Sequence, residues 1–432
     1  MNINDLGEVC LENIFVHLSP YNDLNHCRLV CRLWNHVSKA TRKRLQREFR
    51  SSVIEQGLQC LHVPVGKNSI TPRYGHSALL FDSDMYVFGG CTGRMTLFND
   101  LWKLCLSTRT WIRPISSGSI PPPKSQAAML VLGKKLLLHG GQTLSSYSVS
   151  LRGETVALFD SLHEYNVESK TWTLVHTKNQ GPKVSGHSLF LLNNKSLICF
   201  GGLTLADPGN SNLVIPSNEV WSFHLENLTW NLVRRHNPSV VPPPRFGHSM
   251  VRLDESNGNG SSCFLILGGC GENRVFLNDV WLLRIMSSDS CMWTPIIIRP
   301  HPDTSYPFGP QIHLNPVCKV SPTSLLILNS RKRGQERGNL VFPSSSSSRT
   351  LSSNLVINVL DVQSVRTLGF VRWRSSTVRA STAIEDIALY SLVLGKNEII
   401  MFGGASLPED MASPPASVAN DLFFISAHKT VT

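Results

Sequence analysis

No stretch of the 432-residue sequence approaches the roughly 18 consecutive apolar residues that a membrane-spanning helix needs. Its first residues lack a basic region followed by an uninterrupted apolar run, so no secretory signal is expected. The eleven cysteines contain no Cys-x-x-Cys pair, and their number is odd. Cys27 and Cys31 sit among apolar helix positions rather than in a metal-ligand spacing, so reduced thiols in the cytoplasm, the nucleus or both are expected. Zinc-finger, RNP and basic-zipper patterns are absent as well. The formal net charge of +11 therefore points to an acidic or phosphorylated protein partner, with no nucleic acid and no membrane.

What is present begins with short helices. Between Leu6 and Val37 the apolar positions Val9, Ile14, Phe15, Leu18, Leu24, Val30, Leu33 and Trp34 recur mostly at three- and four-residue intervals. The pattern breaks at Ser19-Pro20, where Ser19 is expected to cap a second helix, with Pro20 in its first turn and Asp23 near the positive end of its dipole. Fewer than about 40 residues rarely cover such side chains alone, so a partner protein is the expected cover. Six cations against Glu48 between Lys39 and Arg50 read as a solvated helix face.

These residues carry a resemblance. Leu6-Gly7-Glu8-Val9, Ile14-Phe15, Leu18-Ser19-Pro20, Asp23-Leu24 and Leu29-Val30-Cys31-Arg32-Leu33-Trp34 together resemble an F-box. Gly7 stands where family members have proline, which loosens the first turn and leaves the apolar anchors. The resemblance implies docking onto a Skp-type adaptor joined to a cullin-RING ligase scaffold, through Leu6, Val9, Ile14, Phe15, Leu18, Leu24, Val30 and Trp34.

Beyond residue 58 the chain repeats itself. Apolar runs end in glycine pairs at Gly89-Gly90, Gly140-Gly141, Gly201-Gly202, Gly268-Gly269 and Gly403-Gly404. The last interval is about two periods long, and Ser324 to Leu328 followed by Asn329-Ser330 is read as a degenerate copy. A Pro-Arg-aromatic-Gly-His-Ser signal precedes the pairs at Pro72 to Ser77 and Pro244 to Ser249, and in partial form at Gly186 to Ser188. Asn-Asp/Glu-x-Trp and a further tryptophan follow at Asn99 to Trp111, Asn218 to Trp230 and Asn278 to Trp293. Weaker echoes run from Leu162 to Trp172, from Asn358 to Trp373 and from Asn420 to Phe423.

Each unit reads as a four-stranded blade, and the pattern resembles kelch repeats. A mainly β fold is expected, a six-bladed kelch β-propeller preceded by a small α-helical F-box domain. The C-terminal unit runs out near Ile425 before a fourth strand, and Leu58 to Val65 is left over, so the N-terminal strand is expected to complete the last blade. The expected boundaries are an F-box at 1–50, a linker and closing strand at 51–71, the propeller at 58–425 and a tail at 426–432. His76, His187 and His248 recur with the repeat and read as hydrogen-bonded core histidines, with no metal or cofactor implied.

In a kelch-like propeller, the loops after the glycine pairs and the segments before each Gly-His share one face. Arg73, Tyr74, Arg94, Lys124, Lys183, Arg245, Phe246 and Arg274 fall there, with Arg331, Lys332, Arg333 and Arg337 in the degenerate unit. They are expected to form a basic, partly aromatic substrate-binding face for an acidic or phosphorylated peptide. The long loops 143–158, 203–216 and 339–354 are either contact elements or insertions. The two modules together imply a non-catalytic substrate adaptor of a Skp-cullin-F-box ubiquitin ligase. A kelch scaffold without a ligase role is the alternative. A copper oxidase on the same fold would need a signal peptide and a Tyr-His-Cys site that Tyr74, His76 and Cys91 do not independently suggest.

Overall fold

The computed structural model describes residues 3, 6–55, 57–66, 69–145, 155–207, 210–253, 262–302, 312, 314–330, 354–379, 387–406, 415 and 417–427. Three helices come first: α1 (Glu8–Phe15), α2 (Asp23–Cys27) and α3 (Arg32–Glu55). Leu11, Phe15, Leu24, Cys27 and Val37 form their core, with Leu6, Leu18, Leu33, Trp34 and Leu45 packed against it. Phe15 meets Trp34 edge-on at 5.1 Å. Ser19 does not cap α2, which starts four residues later, after Asn22. Instead the Ser19 hydroxyl accepts from the Tyr21 amide at 3.3 Å, and the Ser19 amide donates to Asp23 Oδ2 at 3.1 Å, so the polar groups close the Ser19-Pro20 turn.

α3 holds no glycine or proline and continues past residue 50. Its first half packs on α1 and α2 through Val37, whereas Phe49 and Val53 lie in a second core with Cys60, Ile399 and Ile425 of the β domain. One helix thus belongs to both cores.

Six antiparallel blades follow in chain order. Blade 1 is Ser77–Phe81, Asp84–Phe88, Leu101–Cys105 and Thr110–Ile112. Blades 2, 3 and 4 repeat that order from Ala128–Leu132, Ser188–Asn193 and Ser249–Leu253. Blade 5 contains the degenerate copy as its second strand, Ser324–Ser330, between Val317–Lys319 and Asn354–Asp361. Parallel pairing of Ile297 to Pro300 with Phe370 to Trp373 joins it to blade 4. Blade 6 takes Ser391–Leu394, Glu398–Phe402 and Leu422–Ala427, and its fourth strand is Leu58–Val63, with Leu58 opposite Ala427 and Val63 opposite Leu422. The leftover N-terminal segment closes the ring as expected.

The glycine pairs explain how the blades meet. Gly89 and Gly90 have φ of 66° and 94°, and a Cβ on Gly89 would stand 2.5 Å from the Lys124 carbonyl oxygen of the next blade. The second glycine donates its amide across the blade boundary: Gly90 to Lys124 O, Gly141 to Val184 O, Gly202 to Arg245 O and Gly404 to Arg73 O, at 2.8–3.0 Å. Around the central channel a second chain of backbone bonds runs from Gly75 to Leu389, Gln126 to Gly75, Gly186 to Gln126 and Gly247 to Gly186. The tryptophans fill the space between blades. Trp111 packs on Phe402, Trp172 on Phe88, Trp230 on His139 and Trp293 on Phe200, with ring centroids 4.8–5.4 Å apart. Each buried indole removes on the order of 200 Å² from water, roughly 5 kcal/mol before entropy is counted.

Candidate adaptor surface and ligand-binding face

The F-box candidates separate by burial. Phe15 and Leu24 are 1% and 0% exposed, so they hold the three helices together and present no surface to a partner. Leu6, Leu18 and Trp34 are half-buried against the same core. Val9, Ile14 and Val30 stand 73%, 43% and 58% exposed, and the sequence reading missed Leu29 at 83%. Val9, Ile14, Leu29 and Val30 are therefore large apolar side chains of this unit that its own core leaves in water. Burial of Phe15 and Leu24 also corrects the expectation that a partner must cover most of the pattern, because α3 is long enough to cover them itself.

Tyr21 fixes this unit to the propeller. It is 2% exposed, its hydroxyl donates to Glu398 Oε1 at 2.9 Å, and it accepts from the Lys396 amide at 3.2 Å. The Ser83 hydroxyl and Lys396 Nζ donate to the Tyr21 carbonyl oxygen. Arg109 reaches the other Glu398 oxygen at 3.4 Å. Burial, followed by the adjacent Glu398 charge, pushes the Tyr21 phenol far above its ordinary value. Ser83 and Lys396 lie in the turns between the first and second strands of blades 1 and 6. The glycine-pair loops leave the opposite ends of the second strands, so the helices sit on one face and the loops project from the other. Strands of about five residues separate the faces by roughly 17 Å.

On the loop face the structure overturns three of the proposed ligand-binding cations. Arg73 and Arg245 are 0% exposed and Lys124 is 1% exposed. Arg73 clamps Asp100 through Nη1 at 2.7 Å and Nη2 at 3.1 Å, and also donates to Gly89 O at 2.9 Å. Arg245 repeats the arrangement with Asp279 at 2.7 and 2.8 Å and Gly268 O at 2.8 Å. Lys124 Nζ donates to Gly140 O at 3.0 Å and lies over the Phe159 ring. Burial lowers its ammonium to about 8, partly offset by Asp160. These side chains tie each blade's entry segment to its own glycine pair. In sequence, the two intact Arg copies come with Asp100 and Asp279 and Val184 comes with Glu219, and all three acids also accept from the tryptophan two residues on at 2.7–2.9 Å.

Arg94 and Arg274 are exposed, and Lys183, Tyr74 and Phe246 are half-buried. Arg331, Lys332, Arg333 and Arg337 lie outside the described residues, as does most of loop 339–354 with its serine run. Two other long loops are hairpins, Gln142–Ser145 with Thr155–Leu158 and Leu203–Asp207 with Asn210–Pro216. Sequence reasoning passed over their apolar content: Leu213 and Ile215 are 60% and 38% exposed, and Val275 and Phe276 beside Arg274 are 58% and 41% exposed.

The repeat histidines lie between blades. His76 Nε2 pairs with Ser391 Oγ at 3.0 Å, and His187 Nε2 with His139 Nδ1 at 3.1 Å. His248 departs from expectation, because neither ring nitrogen has a hydrogen-bond partner and the ring packs on Phe200 instead. Burial first, and Arg73 or Lys124 second, hold His76 and His187 down to about 3. No described helix is long and apolar enough to cross a membrane.

Comparison with known proteins agrees with this architecture. The family model "FBX42, beta-propeller domain" matches residues 73–293, and the F-box domain model matches residues 3–45. Tip elongation aberrant protein 1 of Schizosaccharomyces pombe is 29% identical over 223 residues, 50% of this chain and 17% of that protein. Kelch domain-containing protein 10 of Rattus norvegicus is 23% identical over 265 residues, 58% of each chain. Kelch domain-containing protein 3 of Mus musculus is 29% identical over 221 residues, 50% of this chain and 53% of its own length. The chain thus spans 17% to 58% of these relatives. The solved structure of YjhT shares the fold, with a TM-score of 0.50 at 14% identity over 82% of this chain and 95% of that one. With half of its length matched by the propeller model and an F-box ahead of it, the chain belongs to the FBX42 family of F-box and kelch-propeller proteins.

Proposed function

We propose that this protein is a non-catalytic substrate adaptor of a Skp-cullin-F-box ubiquitin ligase. Val9, Ile14, Leu29 and Val30 dock on the Skp-type adaptor, and the loop face of the propeller holds the protein to be ubiquitinated. The observation that carries the reading is the exposed apolar surface of the helical unit, held by Tyr21 on the propeller face opposite the long loops. The adaptor contributes proximity: it raises the local concentration of substrate lysines near a transferring enzyme carried by the cullin, and needs no nucleophile of its own. Arg94, Arg274 and Lys183 supply donors for acidic or phosphorylated segments, and Leu213, Ile215, Val275 and Phe276 supply apolar contacts beside them.

The test is affinity purification of the wild type beside a Val9→Lys, Leu29→Lys, Val30→Lys variant and an Arg94→Glu, Arg274→Glu variant. All five positions are exposed, so folding is retained. The first variant is expected to lose the adaptor and cullin and keep its other partners. The second is expected to do the reverse. Recovery of neither adaptor nor cullin with the wild type would instead establish a kelch scaffold.

A further inference from the structure

The repeat supplies an internal reference for every boundary between blades. The residue before the glycine pair is Phe88, Phe200 and Phe402 in blades 1, 3 and 6 and Leu267 in blade 4, but His139 in blade 2. One residue earlier stand Val87, Leu138, Ile266 and Met401, but Cys199 in blade 3. Side chains alternate along a strand, so Phe200 faces blade 4 while Cys199 turns back toward blade 2. Both departures therefore fall on one boundary, where they meet the repeat histidine His187. One nitrogen of each imidazole and Sγ of Cys199 lie within 4.8 Å of one another, and all three residues are buried. Nδ1 of His139 and Nε2 of His187 are 3.1 Å apart. Two nitrogens held at 2.0–2.1 Å by one tetrahedral ion stand roughly 3.4 Å apart, so the imidazoles are close to ligating geometry. The other intact histidines, His76 and His248, face Phe402 and Phe200, which offer no ligand.

We propose that His139, His187 and Cys199 form a buried three-coordinate site for a soft monovalent cation, copper(I). Thiolate and imidazole are the donors such an ion selects. Loading exchanges the Cys199 thiol proton for the metal: one S–H bond breaks, the proton leaves to solvent, and one positive charge replaces another. The charge of the dry pocket is then unchanged. Zinc would leave an extra positive charge in this dry pocket, where the Lys124 ammonium already stands 3.0 Å from the carbonyl oxygen of Gly140, next to His139. Zinc also takes four ligands in closed protein sites, and no further His, Cys, Asp or Glu joins this group among the described residues. Because the site is closed, loading accompanies folding.

The test is production of the full chain under reducing conditions with copper and zinc both supplied, for the wild type and for the His139→Phe and Cys199→Val variants. These substitutions restore residues that the other blades carry at the same positions, so the fold is kept. After competition with the copper(I) chelator bicinchoninate, elemental analysis is expected to find one copper per wild-type chain and at least tenfold less in either variant. X-ray absorption at the copper edge of the wild type is expected to show one sulfur and two imidazole nitrogens, a readout that stands even if a variant misfolds. Equal copper in all three proteins, none in the wild type, zinc in preference to copper, or a shell without sulfur overturns the proposal.

Discussion

Arg73 distinguishes a cation that builds the propeller from one that binds its ligand. Replacing it with methionine keeps an unbranched stem but not the guanidinium, and removes the hydrogen bonds to Asp100, Gly89 and the Thr71 carbonyl oxygen. Asp100, 10% exposed at its side chain, would keep only Trp102 Nε1 at 2.7 Å. Burial raises the Asp100 carboxyl, and the Arg73 hydrogen bonds and charge more than reverse that, leaving it below its ordinary value. Breaking a buried pair by removing one partner costs about 3–5 kcal/mol. A propeller of about 370 residues between Leu58 and Ala427 unfolds with an entropy of roughly 0.8 kcal/mol/K, so the melting temperature should fall by about 4–6 °C. Differential scanning calorimetry of the wild type, Arg73→Met and the exposed control Arg94→Met, at one scan rate, reads this directly. Arg94→Met should move by less than about 1 °C, since surface changes rarely exceed a few tenths of a kcal/mol. If Arg73→Met melts with the wild type yet loses a propeller partner, Arg73 is a ligand-binding cation and the structural reasoning fails.

Acid should destabilise the fold through its buried histidines. His76, His163 and His187 take a proton only near pH 3, 4 and 3, held down by burial and then by Arg73 or Lys124, whereas an unfolded histidine takes one near 6.5. Their contribution is complete above pH 6.5 and is lost as pH falls toward 4, at about 1.4 kcal/mol per pH unit for each. Thermal scans from pH 7 to 5 should show melting drop by several degrees, and a flat profile contradicts the burial. A chain beginning at Val65 lacks the strand Leu58–Val63 that pairs with Leu422–Ala427, so it should aggregate or exchange its blade 6 amides rapidly, as hydrogen exchange would report. Tyr21→Ala should cost about 3–5 kcal/mol at the joint. It should also make the linkage between helices and propeller sensitive to limited proteolysis, and unchanged resistance would place the anchor elsewhere.

Much of this architecture was legible because it is repeated. A glycine pair at positive φ, an Asn-Asp-x-Trp strand and a second tryptophan mean little singly, but their recurrence specifies one blade many times over. Even the degenerate copy at Ser324–Ser330 and the closing strand at Leu58–Val63 follow from counting strands. The F-box pattern was equally readable, since apolar spacing defines helices whatever covers them. What spacing does not carry is direction. Phe15 and Val9 belong to the same helix and the same motif, yet one is core and the other surface, because α3 and its Trp34 cover only one side. Arg73 and Arg94 are both loop cations by sequence. Only the folding of the blade decided that Arg73 meets Asp100 in a dry site while Arg94 points to water, since burial depends on which carboxylate the folded chain brings within 3 Å. The meeting of His139, His187 and Cys199 is of the same kind. Residue types and repeat positions were fixed by the chain, but their convergence required two neighbouring blades to pack face to face.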